Sequence, residues 1–155
     1  MRKTAILTDS VACLTPEQVQ RYAIDVIPLN FFAGGKLYRD GVDVTPTEAY
    51  ELFLKDPDTF KTSGANPDDC LNAFRAASKK ADKLLCITVS SGISMVNNAA
   101  HTAATIMREE NRGIKLDIID SHTAAPSEGM MVLAAARAAE AGADIYEATA
   151  AATNV

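Results

Sequence analysis

Three short apolar runs most constrain the fold of this chain, because each ends in hydroxyl or acidic residues and is followed by a helical pattern. The runs cover residues 4–8, 83–88 and 115–119. Strands that alternate with helices in this way predict βαβ units and a largely parallel sheet. We therefore expect an α/β fold, a mostly parallel sheet flanked by helices, in a single domain over residues 1–155.

Three of the predicted helices begin with the same local chemistry. A hydroxyl or amide side chain stands directly before a proline at Thr15, Thr45 and Asn66. Proline suits the first helical position because its missing N–H needs no partner there, and a capping-box partner follows the first two caps. Helices are therefore expected to start after these caps. Further helical patterns extend over about 95–110 and 127–141, with another starting near 145.

The chain between the first two helices is predicted to form short strands. Residues 24–32 are rich in Ile, Val and Phe but are interrupted by Pro28, which indicates an edge strand or two short pieces. Two glycines then predict a turn into a return strand at 36–38. The polar, glycine-containing segment 61–65 is interpreted as a loop.

Composition argues against several functional classes. The chain carries 20 acidic and 15 basic side chains, a net charge of −5, so we expect no nucleic-acid partner. No window approaches the roughly 20 apolar residues of a membrane span, and no signal-peptide pattern is present. Cys13, Cys70 and Cys86 lack CxxC spacing, which favours reduced thiols in a cytoplasmic protein. Since His101 and His122 are the only histidines, we expect no metal site and no cofactor.

Hydroxyl and acidic residues are concentrated where the predicted strands end. In open α/β sheets this carboxyl edge is where ligands bind. The segment 88–94 places three serines and a glycine directly before a helix, whose first N–H groups are unpaired and attract anionic groups. Two interpretations remain open for this segment alone: an anion-binding loop, or ordinary capping of the helix by Ser91 or Ser94.

Three kinds of chemistry can be compared at this edge. A serine hydrolase would use Ser94 or Ser121 with His122, although no G-x-S-x-G motif is present. A dinucleotide site is excluded, because the turn after the first strand contains no glycine. The third interpretation is a neutral hydroxyl site, built from Thr62, Ser63 and the 90–94 loop, that holds a carboxylate such as a fatty-acid head group.

Alanine-rich stretches at 99–104 and 134–143 also have two interpretations. Their small side chains either favour close packing of the helices on the sheet, or leave a slot for another apolar group. If a fatty acid binds, we expect its tail to run under these helices.

Six short motifs follow one another in a fixed order between residues 4 and 130. They are Thr8-Asp9-Ser10, Ile27-Pro28-Leu29, Tyr38-Arg39-Asp40-Gly41, Thr62-Ser63, Ser90-Ser91-Gly92-Ile93-Ser94 and Ile118-Ile119-Asp120-Ser121. In order and spacing they resemble the N-terminal half of DegV-family proteins. The resemblance implies an α/β domain that binds a long-chain fatty acid such as palmitate and is not itself an enzyme.

The resemblance also implies a site and partners. Carried over by motif, Thr62 and Ser94 contact the carboxylate, the backbone N–H of Met95 is a third donor, and Ser63 and Ser91 complete the set. Met95 stands where the family usually has glycine. Some members present the bound acid to a fatty-acid kinase, which is therefore an expected partner. Family members are about twice as long, so the chain resembles their first domain, with the second domain absent.

Overall fold

The structure of the protein is a computed structural model that describes residues 3–155. Met1 and Arg2, which belong to the predicted domain, lie outside the described residues. Within the described part, seven strands, six α-helices and one 3₁₀ turn follow in this order: β1 (Ala5–Asp9), the 3₁₀ turn (Ser10–Ala12), α1 (Pro16–Tyr22), β2 (Asp25–Ile27), β3 (Asn30–Ala33), β4 (Lys36–Arg39), α2 (Pro46–Lys55), β5 (Lys61–Ser63), α3 (Pro67–Ser78), β6 (Lys83–Thr88), α4 (Val96–Glu110), β7 (Lys115–Asp120), α5 (Pro126–Glu140) and α6 (Ile145–Thr153).

The main sheet is parallel and has the strand order β2-β1-β6-β7. Successive residues of its central strands alternate between two core clusters, one with α3 and α4 and the other with α1, α5 and α6. Leu7 of β1, for example, belongs to the first cluster and Ile6 to the second. A sheet buried on both faces needs nearly continuous apolar strands, which explains the three runs in the sequence. The predicted α/β fold is confirmed.

The alanine-rich helices pack closely on this sheet. Ala100, Ala103 and Ala104 of α4 are fully buried, as are Ala135 and Ala136 of α5. Small side chains allow the helix backbones to approach the strands, so the packing interpretation of these stretches is confirmed. The slot that we expected beneath them is filled by the core clusters instead.

The local helix-start signals are confirmed. Thr15, Thr45 and Asn66 each accept a hydrogen bond from the third helical residue, whose side chain bonds back to the cap in a capping box. A proline occupies the first position of each helix. These starts depend on a few neighbouring residues, so tertiary context does not override them.

A second, antiparallel sheet of order β4-β3-β5 was only partly predicted. The hairpin of β3 and β4 was expected, but residues 61–63, interpreted as a loop, form strand β5, in which Thr62 pairs with Phe31. The prediction was wrong because a short polar strand is stabilised by its partner strand and not by its own sequence. Pro28 divides the chain more sharply than expected, since β2 and β3 on either side of it belong to different sheets.

The small sheet and α2 form one unit with aromatic contacts of its own. The ring of Phe31 stacks on Phe60 at 4.9 Å and on Tyr38 at 5.3 Å, and Phe53 of α2 meets Phe60 edge-on at 5.4 Å. No residue of α2 is fully buried. We call residues 30–63 the arm and the other described residues the body.

Candidate functional site

Asp9 holds together two strand ends at the carboxyl edge of the main sheet. Its Oδ2 accepts a hydrogen bond from the N–H of Val89 at 2.8 Å, and its Oδ1 accepts one from the N–H of Val11 at 3.0 Å. The side chain is fully buried, and this burial raises the pKa of Asp9 to about 6 against the opposing effect of the two hydrogen bonds. Asp9 thus fixes the point at which the loop after β6 begins.

The loop at 90–94 is held against the loop that follows β7. The N–H of Ser90 donates to the carbonyl of Thr123 at 2.9 Å, and the N–H of Ser91 donates to Asp120 Oδ1 at 3.2 Å. Partial burial opposes ionisation of Asp120, but hydrogen bonds from Ser91 and from the backbone N–H of His122 hold its pKa below the usual range. The Ser91 backbone therefore has a structural role, and its hydroxyl does not cap α4.

The N-terminus of α4 presents a free backbone donor beside a serine hydroxyl. Ser94 Oγ accepts a hydrogen bond from the N–H of Val96, the first residue of α4, at 3.3 Å, while the N-cap residue is Met95, whose side chain makes no capping bond. None of the described residues accepts a hydrogen bond from the N–H of Met95. Met95 is 67% exposed, and its Sδ accepts a hydrogen bond from Asn98 Nδ2 of the first turn of α4 at 3.8 Å, so its side chain lies along this end of the helix. The hydroxyl hydrogen of Ser94 remains available to a ligand.

Strand β5 ends beside the start of α4, and Thr62 lies two residues before that contact. Thr62 lines a cavity of about 220 Å³ together with Phe31 and Phe60, and its hydroxyl has no partner among the described residues. A Cβ on Gly64, two residues further on, would lie 3.4 Å from Ser94 Oγ and 3.9 Å from the nitrogen of Met95. Gly64 thus brings the end of β5 against the start of α4.

Ser63 has a smaller part in this arrangement. Its exposed hydroxyl donates to the carbonyl of Gly64 at 3.4 Å, and it pairs with Asn30 in the small sheet. Of the five residues predicted for the site, Thr62, Ser94 and Met95 therefore offer donors near Gly64. Ser63 is engaged by the Gly64 carbonyl, and Ser91 by the carboxylate of Asp120. Gly64 itself was not predicted, and its position after the Thr62-Ser63 pair was the signal for it.

The described residues do not form the geometry that the hydrolase alternative requires. His122 is 82% exposed and its Nδ1 lies 3.4 Å from Asp120 Oδ2. Ser121 Oγ donates to the carbonyl of Thr123 at 3.1 Å, and over residues 3–155 neither Ser121 nor Ser94 hydrogen-bonds to His122. A nucleophile paired with its base is therefore not formed here. The same residues include no cluster of three potential metal ligands, and Cys13, Cys70 and Cys86 are free thiols.

Glu128, on the first turn of α5, is a buried acid that the sequence did not reveal. Its Oε1 accepts a hydrogen bond from Thr8 Oγ1 at 3.1 Å, while Oε2 has no partner among the described residues. Burial, together with the charge of Asp9, raises the pKa of Glu128 to about 8. An acid in the first turn of a helix is ordinarily an exposed dipole partner, so no local signal marked this one.

Comparison with known proteins identifies the family of this chain. The family model described as "Uncharacterised protein, DegV family" matches residues 3–155. The chain belongs to the DegV family. A DegV domain-containing protein from Caldanaerobacter subterraneus subsp. tengcongensis is 34% identical over 147 residues, which are 95% of this chain and 51% of that protein. The chain spans about half the length of the curated relatives it matches.

Solved structures of DegV-family proteins share the fold. A fatty-acid-binding DegV-family protein from Thermus thermophilus superposes with a TM-score of 0.85 at 28% identity, over 99% of this chain and 53% of that one. A stearic-acid-binding protein from Eubacterium ventriosum gives a TM-score of 0.86 at 26% identity, over 97% and 51% of the two chains. DegV-family structures thus bind fatty acids. In our structure, none of the helices within residues 3–155 is long and apolar enough to cross a bilayer.

Proposed function

We propose that this DegV-family protein binds a long-chain fatty acid such as palmitate. Its carboxylate is held between Thr62 on β5 and the start of α4, by the hydroxyls of Thr62 and Ser94 and the backbone N–H of Met95. The observation that carries this proposal is the approach of Gly64 to Ser94 and Met95, which brings two hydroxyl-bearing segments together beside a free helix donor.

The chemistry of this site suits a carboxylate. A hydrogen bond to a charged group contributes about 1.5–3 kcal/mol, and the positive end of the α4 dipole adds to it. The apolar tail supplies most of the affinity, since burying a methylene is worth about 0.8 kcal/mol and a chain of about fifteen gives roughly 12 kcal/mol gross. The head-group contacts therefore orient the ligand, and the tail dominates the binding free energy.

We also propose a role for this domain within a longer protein. Because the chain spans about half of its curated relatives, we propose that it corresponds to the first of two domains. The second domain would supply walls around the tail, since the core clusters fill the space under α4 and α5. In such a protein, the domain would act as a carrier that presents the fatty-acid carboxylate to a fatty-acid kinase, and the domain itself would not be a catalyst.

Lipid extraction tests the ligand class directly. The protein is purified without added lipid, extracted with organic solvent and examined by mass spectrometry, and we expect a co-purifying long-chain fatty acid. The dissociation constant of palmitate is then measured for the wild type and for Thr62→Val, which keeps the side-chain shape and removes the hydroxyl. Loss of one hydrogen bond to a charged group predicts binding weaker by about tenfold to a hundredfold.

Ser94→Ala has a matched control in the same loop. Ser90 Oγ accepts a hydrogen bond from the N–H of Gly92 at 3.2 Å, just as Ser94 Oγ accepts one from Val96. Ser94→Ala is expected to weaken palmitate binding by about tenfold or more, whereas Ser90→Ala leaves it unchanged. An absence of extracted fatty acid, with Thr62→Val and Ser94→Ala both binding palmitate as the wild type does, would contradict the proposal.

A further inference from the structure

The arm is a structural unit that is joined loosely to the body. Its strands pair with one another and not with any strand of the main sheet. Its aromatic contacts are internal, since Phe60 contacts Phe31 of β3 and Phe53 of α2 and so joins α2 to the small sheet. Among the described elements, no helix or strand of the arm packs extensively against a helix or strand of the body.

The chain passes between arm and body twice, on either side of the arm. The first crossing is at 28–29, where the N–H of Leu29 donates to Ser10 Oγ of the body at 3.2 Å. The second is at 64–65, where Gly64 lies against Ser94. Both crossings are short, and the second contains a glycine whose backbone adapts readily.

Two cavities separate the arm from the body. The larger, about 880 Å³, lies between Val42 and Val44 of the arm and Leu14 and Val19 of the body. The smaller, about 220 Å³, lies between the arm's aromatic residues and Val11 of the body. Both cavities are open to solvent, so along them the arm and the body are separated by a cleft and are not packed against each other as in a core. A unit with internal contacts and a poorly packed junction is able to open as one piece.

The proposed carboxylate site spans this junction. Thr62 belongs to the arm, whereas Ser94 and Met95 belong to the body. We propose that the arm opens as one cooperative unit, unfolding between the crossings at 28–29 and 64–65 while the body stays folded, and that a fatty-acid carboxylate bound to both sides holds it closed. The second part of this inference rests on the proposed function; the mobility of the arm in the free protein does not.

Hydrogen–deuterium exchange of the complete chain, read by mass spectrometry, tests the mobility first. The paired amides of β3 in the arm are expected to exchange roughly tenfold or more faster than those of β6 in the body. Exchange of the two strands at the same rate would overturn the inference, because both are central strands of their sheets.

A pair of serine variants tests the attachment. Ser10→Ala removes the acceptor of the Leu29 N–H, so arm exchange should become about threefold to tenfold faster while body exchange is unchanged. Ser78→Ala is the control, since this exposed α3 hydroxyl bonds only within its own helix, to the carbonyl of Arg75 at 2.9 Å. If Ser10→Ala alters the arm no more than Ser78→Ala does, the crossing at 28–29 does not hold the arm.

Palmitate then tests the closure. With free palmitate at about 100 times its dissociation constant, arm openings that release the ligand should become about a hundredfold rarer. Local exchange at the end of α6, far from the arm in the fold, should not change. Palmitate that binds without slowing arm exchange would overturn the closure and leave the proposed function intact. Failure of palmitate to bind would remove the proposed function and the closure together, while exchange in the free protein would still decide the mobility.

Discussion

Glu128 makes the stability of this protein depend on pH in an unusual direction. The carboxyl group is fully buried and one of its oxygens has no partner among the described residues. Burial and the neighbouring charge of Asp9 raise its pKa to about 8. The unfolded chain loses this proton near pH 4.5, so between these values the folded state binds more protons. The free energy of unfolding therefore falls as pH rises through this interval.

The fall in the free energy of unfolding that Glu128 causes is best measured between pH 6 and pH 8. Each pH unit in which only the folded state keeps the proton lowers the free energy of unfolding by about 1.4 kcal/mol. Burial also raises the pKa of Asp9, to about 6. Asp9 therefore also lowers the free energy of unfolding as pH rises, and this contribution levels off above pH 6. The pKa of Cys70, which burial raises to about 12, lies beyond the interval. We expect a loss of about 2–3 kcal/mol between pH 6 and pH 8 that comes from Glu128.

Urea unfolding followed by circular dichroism at pH 6, 7 and 8 measures this loss. In Glu128→Gln the side chain is neutral in both states, so the free energy of unfolding should be nearly constant over the same interval. Glu51→Gln, on the exposed surface of α2, is the control and should keep the wild-type slope. A wild type with no slope, or a Glu128→Gln variant that retains it, would refute the reasoning.

Three further substitutions, and one control, test the packing, capping and loop contacts. Gly129→Ala would place a Cβ 2.4 Å from the carbonyl oxygen of Ala12, so it should lower the free energy of unfolding by about 1–3 kcal/mol. Gly113→Ala, whose Cβ would meet nothing closer than 3.5 Å, should change it by less than about 0.5 kcal/mol in the same urea assay. Asn66→Ala removes the cap of α3 and should lower the thermal midpoint, with a loss of about 1 kcal/mol. Asp120→Ala frees the 90–94 loop and should weaken palmitate binding by about tenfold, and unchanged calorimetric affinity would contradict that role.

The parts of the fold that depend on local chemistry were predictable from the sequence. The caps at Thr15, Thr45 and Asn66 specify their helices through residues three positions away. The parallel strands are recognisable because burial on both faces demands unbroken apolar runs. Strand β5 was not recognisable, since Lys61, Thr62 and Ser63 are exposed and their strand geometry comes from pairing with β3.

Some features of the candidate site could likewise be predicted from the sequence, and others could not. The hydroxyl residues of the 90–94 loop could be located because they follow a predicted strand of the parallel sheet. Thr62 lies on β5 of the small sheet, and only the resemblance to the DegV family selected it together with Ser94. The approach of Gly64 to Ser94 and the burial of Glu128 were not predictable. Both arise from contacts between segments at least 30 residues apart, which no local pattern encodes.

The central claim is that Thr62 and Ser94 hold a fatty-acid carboxylate, and carboxyl-labelled palmitate tests it most directly. The ¹³C resonance of the labelled carboxylate is recorded by NMR with the wild type and with the Thr62→Val, Ser94→Ala double variant. We predict a bound resonance shifted from that of free palmitate in the wild type, and loss of that resonance in the double variant. A bound resonance at the same position in both proteins would show that the carboxylate lies elsewhere and would contradict the account.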